Sequence, residues 1–396
     1  MRKFSIPGLS LLILLAILYQ SCNKLDKADF RTLVSVQILP DDTVLVIGQS
    51  IQFRAIGTFL DSSKRDITED INWFASPAGL LRMSEKGYAN VLDTGDVYVV
   101  CGAMGLISGC IVKNTTPEGF EKELVLQDYY HDYVTSELAD CGWTGSIANC
   151  DPGTVSADAQ KKVVQRINYF RHLVGVQDKI FFNQTFNEKC QVAALMVKSN
   201  STLNHYPDSA TSSCWTRPGF DGCANSNLSM TEHTTSAITS YIKDEGLNNK
   251  NVSHRRLLLF TKARQMGHGS TDNSNAIWVL QGTTGTPAYS PEYIAYPPKG
   301  YVPATLVFPR WSFGLKDADF SDATVTMKDT SNQIVKCAVI SRTDNGVGDN
   351  TIVWEPEEIS TTGPGDVTYI VTIGNILVGS ETKSYTYTVI IIQVSN

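Results

Sequence analysis

The chain has 396 residues, of which 42% are hydrophobic and 18% charged, and a formal net charge of −7. That length suggests two to three domains, with ample apolar material for several cores. The acidic balance argues against a nucleic-acid partner and leaves lipid or carbohydrate ligands open. In chain order, Arg2 and Lys3 precede an apolar run from Leu9 to Tyr19, and small or polar residues follow up to Cys22. This start reads as a secretory signal peptide over 1–22, too short to be a stable bilayer span. Residues 23–31 read as a short charged tether.

Residues 32–115 are predicted to be all-β. Val34, Val36 and Ile38 alternate with polar neighbours, as do Ile51, Phe53 and Ala55, and turn signals such as Pro40-Asp41-Asp42 and Asp61-Ser62-Ser63 separate the runs. Period-two runs at short intervals indicate a β-sandwich. Residues 116–282 turn helical after a Gly-, Cys- and Asp-rich loop from Ala139 to Val155. Val163, Ile167, Phe170 and Val174 keep the helical period, Gly175 fits a helix end, and further helices are expected near 187–198 and 234–244. A turn at Gly267-His268-Gly269 should precede a central strand at Trp278-Val279-Leu280. Residues 283–396 open on a proline-rich stretch and then return to strand patterns, predicting a second β-sandwich.

Three cysteine pairs share one spacing: Cys101/Cys110, Cys141/Cys150 and Cys214/Cys223. In an exported chain this favours three short disulfide loops. Phe186, Cys190, Ala193, Ala194 and Val197 recur at helical spacing, so Cys190 reads as a buried thiol, with a bridge to Cys337 as the alternative. No C-x-x-C, H-E-x-x-H, G-x-S-x-G or phosphate-binding glycine loop occurs in the sequence. Redox, zinc-helix, serine-hydrolase and nucleotide chemistries therefore lack their usual signatures.

Several segments carry family resemblances. The Ser21-Cys22 junction resembles a bacterial lipoprotein box, which implies acylation of Cys22 and anchoring to a lipid membrane. The expected location is the cell envelope, as an outer-membrane lipoprotein on its periplasmic or cell-surface face. The order Val46 to Ser50, Asp66-Ile67-Thr68, Trp73, Glu85-Lys86-Gly87 and Gly95 to Val99 resembles a group-2 bacterial Ig-like domain, in which Trp73 would fill the core. Pro309-Arg310-Trp311-Ser312-Phe313 resembles a segment of a domain that follows bacterial CAP modules.

The middle module resembles the CAP superfamily, the cysteine-rich secretory or SCP-like extracellular domain. The resemblance rests on Arg166 to Arg171, Leu203-Asn204-His205-Tyr206-Pro207, Ser226-Asn227-Leu228, Tyr241 to Gly246 and Val252-Ser253-His254-Arg255-Arg256. It implies an α-β-α sandwich with a surface cavity lined by His205, Ser226, Asp244 and His254. Ser226 stands where the family carries a glutamate, and Asp244 is one carbon shorter than the usual acid. The missing carboxylate removes the group best suited to be a general base and weakens any metal site. His205, His254 and Asp244 still form a minimal ligand set for a divalent ion such as zinc. Each also has a structural reading. His205 could hydrogen-bond a loop, His254 could buttress a turn, and Asp244 could accept from backbone N–H groups or pair with Arg255. Glu232 and Glu245 are secondary candidates for the missing acid.

The overall expectation is a multidomain chain, an α/β domain between two all-β sandwiches, displayed as a surface lipoprotein. Its function is expected to be non-enzymatic binding of a lipid, sterol, peptide or other surface component. The alternatives are a divalent-metal-dependent hydrolase of cell-wall or extracellular peptide, and a structural adhesin with a vestigial cavity.

Overall fold

A computed structural model describes residues 32–41, 43–115, 120–280, 291–344 and 346–394. The expected leader, Cys22 and the tether lie outside the described residues. The chain is multidomain and rich in β-sheet, and it divides into two units, Met1–Glu121 and Lys122–Asn396. Among the described residues no helix is long and apolar enough to cross a membrane.

The first unit is all-β, as its alternation requires. Leu33–Leu39, Arg54–Phe59 and Lys64–Asp66 form one sheet; Thr43–Val46, Leu106–Thr115, Gly95–Ala103 and Asn72–Ser76 form a second. A smaller sheet joins Ser50–Gln52, Tyr88–Val91 and Leu81–Met83. Phe53, Ala55, Trp73, Val97, Val99 and Val112 fill the core. Trp73 sits there as expected, its indole N–H donating to the Thr68 carbonyl.

The second unit begins within α1 (Phe120–Asp128), which is followed by one π-helical turn, Tyr129–Tyr133. Five more helices and two paired strands carry the site. They are α2 (Ala157–Leu173), α3 (Gln184–Asn200), α4 (Arg217–Asn225) and α5 (Thr234–Lys243), then the short α6 (Ser253–Leu258) before the strands Gln265–Ser270 and Asn275–Trp278. Side-chain oxygens of Ser156, Asn183 and Thr216 accept from the first-turn N–H groups of α2, α3 and α4, fixing those helix starts. The strand Ser226–Ser229 pairs antiparallel with Asn275–Trp278. Helices cover both faces of this sheet. Ile277 and Val279 face the core containing Val163 and Phe170 of α2 and Ile238 and Ile242 of α5. The alternate residues Ala276 and Trp278 face Cys190, Ala193 and Val197 of α3 and Cys223 of α4.

Gly267-His268-Gly269 is strand rather than the expected turn. A Cβ on Gly267 would lie 2.4 Å from the Phe186 Cβ, and one on Gly269 would lie 2.2 Å from the Gln191 backbone nitrogen. The glycines are there so that α3 can lie directly against the strand.

Residues 294–392 form two facing sheets. Ile294–Tyr296, Trp311–Gly314, Thr351–Pro356 and Cys337–Ser341 make one. Gly300–Pro303, Glu381–Ile392, Val367–Val378, Thr324–Asp329 and Ile334–Val335 make the other. Trp311 and Trp354 are fully buried between them, as packing requires, with Tyr369 edge-on to Trp311. These sheets have no core of their own. A single apolar cluster runs from Val163, Phe170 and Ile238 through Tyr296 and Trp311 to Val371 and Ile391. The expected boundary near residue 282 is therefore not a boundary in packing.

The cysteines depart from the equal-spacing expectation. Cys150 is bridged to Cys214 across 64 residues. This excludes Cys141–Cys150 and Cys214–Cys223. Cys141 is buried and its thiol donates to the Thr271 carbonyl, and Cys223 is buried inside the α4 contact with α3. Cys101 lies opposite Ser108, and Cys110 opposite Val99. They are diagonal neighbours on the ladder, typically about 7–8 Å apart, which is beyond easy disulfide reach. The structure leaves both as thiols. Cys190 is a fully buried thiol, unbridged to Cys337.

Candidate functional site

Of the four expected site residues, Asp244 and His254 meet, His205 is anchored separately, and Ser226 opens the strand Ser226–Ser229. Asp244 caps the C-terminus of α5 in the left-handed conformation, φ 53° and ψ 47°. Its backbone N–H donates to Ser240 O, and its side chain is completely buried. His254, in the first turn of α6, places Nδ1 2.7 Å from Asp244 Oδ1. Asp244 Oδ2 accepts the backbone N–H of Arg255 at 3.2 Å. Both carboxylate oxygens are thus spent on orienting α6 and its histidine. Asn227 Nδ2 donates to the His254 carbonyl, tying this pair to the strand, and the Tyr241 ring packs 5.4 Å from the imidazole.

The second group surrounds His205. Its Nδ1 lies 2.8 Å from the Cys223 carbonyl at the end of α4. A carbonyl only accepts, so Nδ1 carries the proton and Nε2 carries the lone pair. The carboxylate does the same for His254. Two imidazoles are therefore set with Nε2 outward from their anchoring bonds, one by a carbonyl and one by a carboxylate. Leu203 and Tyr206 flank His205 with 53% and 71% of their surfaces exposed. Tyr206 and Trp215 both lie beside Phe220, and the Trp215 indole donates to Pro207 O. The Cys150–Cys214 bridge and paired hydrogen bonds between Asn200 and Ser213 hold this loop in place.

Ser226 is buried, with its hydroxyl 3.6 Å from the Cys190 thiol. Burial pushes that thiol up to about 12, so it stays protonated and inert at neutral pH. Glu245 pairs with Lys243, and Glu232 contributes its backbone N–H to Ser229 Oγ. Zinc usually takes at least three protein ligands in a catalytic site. Among the described residues no three His, Cys, Asp or Glu side chains are grouped to hold a metal. Asp244 serves as an orienting group for His254 and for the backbone of Arg255.

The structure adds residues that spacing alone does not single out. Arg255 is fully buried, and its guanidinium bonds Ile242 O, Lys243 O and Ser312 Oγ above the Tyr296 ring. Burial lowers it to about 10, so it remains a cation at neutral pH. Its backbone N–H donates to Asp244, whose charge also partly offsets the burial of the guanidinium. Arg310 reaches from the C-terminal sheet to the Asp244 carbonyl at 2.8 Å. The weak sequence signal for these residues is an arginine in an otherwise apolar run, as in Arg255-Arg256-Leu257-Leu258-Leu259 and Phe308-Pro309-Arg310-Trp311.

Neither a family model nor a curated protein sequence matches the chain. Among solved structures it is similar to domains 4–9 of the surface layer protein SbsC. The identity is 9% and the TM-score 0.19, over 92% of this chain and 32% of that one. It is also similar to extracellular domains 3–5 of Drosophila OTK, with 5% identity and a TM-score of 0.15, over 92% of this chain and 63% of that one. Extracellular cadherin domains 3–6 of protocadherin gamma B2 give 8% identity and a TM-score of 0.15, over 90% and 72%. The chain spans about a third of the length of the SbsC fragment. Overlaps this slight carry no argument about function.

Proposed function

We propose that this chain is an exported lipoprotein of the CAP type, anchored through Cys22. Its helix–sheet domain binds an apolar or peptide-like ligand at the surface around His205. The observation that carries this reading is the His205 loop. It exposes Leu203 and Tyr206 beside an imidazole whose Nδ1 is already committed to the Cys223 carbonyl. Such a surface offers apolar cover and one directional acceptor, the usual ingredients of a small binding site. The group-2 Ig-like reading of the first unit fits a spacer between membrane and binding domain.

A second reading, a metal-dependent hydrolase, draws on the Asp244–His254 bond. A carboxylate on Nδ1 is the common partner of a metal-bound imidazole. One experiment separates the two. Wild type, His205→Ala and Tyr206→Ala are titrated with a hydrophobic peptide, with a fatty acid and with zinc alone, by calorimetry. The binding reading expects peptide or fatty acid to bind wild type and both variants to lose about tenfold or more, as a central aromatic contact would. Zinc binding at one equivalent, lost in His205→Ala but kept in Tyr206→Ala, favours the hydrolase. Organic-ligand binding indifferent to both substitutions would overturn the proposed surface.

A further inference from the structure

We infer that the C-terminal sheets are a working part of the site, and that Arg310 and Ser312 position the Asp244–His254 pair. The geometry comes first. Asp244 holds a left-handed conformation that a residue with a Cβ adopts reluctantly, so something must hold it there. Every polar group it has is engaged. Its N–H meets Ser240 O, Oδ1 meets His254, Oδ2 meets the Arg255 N–H, and its carbonyl accepts from Arg310 Nη1. Arg310 is fixed in turn, because its Nε pairs with Glu355 at 3.0 Å on the neighbouring strand Thr351–Pro356.

A second arginine crosses in the opposite direction. Arg255, next in sequence to His254, bonds the last carbonyls of α5 through Nε and Nη2 and reaches Ser312 Oγ through Nη1 at 2.9 Å. Two buried cations thus lock the α5–α6 corner to one strand, Trp311–Gly314. Burying charges is costly unless each donor is met. Apolar packing alone would join the two modules without them. What the arginines add is direction, since a planar guanidinium fixes the backbone it grips. The Asp244 carboxylate then points where it can keep the proton on His254 Nδ1 and leave Nε2 as acceptor. The functional weight of this inference rests on the second reading above, which draws on the Asp244–His254 pair, but the coupling itself does not.

The test reads the His254 tautomer by long-range proton–nitrogen NMR in the full chain without ligand, at a pH where the imidazole is neutral. Wild type should show mainly the Nδ1–H form. Arg310→Met should reduce the ratio of Nδ1–H to Nε2–H several-fold, and Ser312→Ala should move it less in the same direction. Ile376→Val is the control. It loosens the buried strand Val367–Val378 outside this network and should lower the thermal midpoint while keeping the ratio. If Arg310→Met does not fold, Ser312→Ala carries the test. A wild-type ratio in the folded variants, or an equal shift in Ile376→Val, overturns the inference. Because the ratio is read without ligand, failure of the binding surface is seen separately, in the titrations with His205→Ala.

Discussion

The chain contains two β-sandwich regions that look alike in sequence and behave differently in structure. Residues 33–115 close on themselves, with Phe53, Trp73, Val99 and Val112 in a core of their own. Residues 294–392 have the same alternation and two buried tryptophans where the first region has one, yet their core continues into α2 and α5. The second sends Arg310 to Asp244 and receives Arg255 at Ser312. The lesson is that a β-module's boundary is set by where its apolar faces find cover, and strand pattern does not report that.

The sharpest way to break this comparison is to cut the chain. A fragment of residues 32–115 should fold cooperatively, with a dispersed amide spectrum. A fragment of residues 120–282 should not, because removing the C-terminal sheets uncovers Ile238, Ile242 and Phe170 and leaves Arg255 without Ser312. A dispersed spectrum from the helical fragment would show that the shared core is dispensable.

Redox conditions should separate the regions next. Cys150→Ser opens a bridge spanning 64 residues and should cost the second unit about 2–4 kcal/mol of unfolding free energy by denaturant titration. The isolated first unit should be indifferent to reductant, because Cys101 and Cys110 are diagonal on their ladder. A reductant-sensitive first unit would mean that the hairpin shifts register to join them.

Acid gives the smallest and most specific contrast. None of the six histidines lies in the first unit. In the second, complete burial lowers His268 to about 3, between Gln160 and Ser270. Its folded value lies below the unfolded one of about 6.5, so the unfolded chain takes up the proton first. The stability contribution is full above about pH 6.5 and is lost as pH falls toward 3, by about 1 kcal/mol per pH unit. Urea midpoints at pH 7 and pH 5 should therefore diverge for wild type and diverge less for His268→Gln. The first unit should hold until the carboxylate range, where the unfolded chain protonates Asp66 before the folded one does, because hydrogen bonds from Thr68 keep its folded value low. Equal acid slopes in wild type and His268→Gln would place the proton uptake elsewhere.

The sequence by itself determined what local pattern can determine. Alternation at Ile51-Phe53-Ala55 marked the first sandwich, and the helical recurrence of Val163, Ile167 and Phe170 marked α2. The same reasoning put Cys190 on a buried helix face, because each signal is a periodicity that burial imposes on neighbouring residues. Asp244 and His254 were legible as a pair of candidates, and they do meet. What only the tertiary structure decided were matters of long-range partnership. Cys150 found Cys214 because two distant turns lie side by side, which equal spacing cannot encode. The glycines of Gly267-His268-Gly269 serve a helix laid against a strand, and without that helix in view they read as a turn. Asp244 turned out to hold a histidine and a helix, because both its oxygens were claimed by residues ten and eleven positions away and its carbonyl by one from another sheet. Local sequence fixes what a residue can offer, and only packing fixes who takes it.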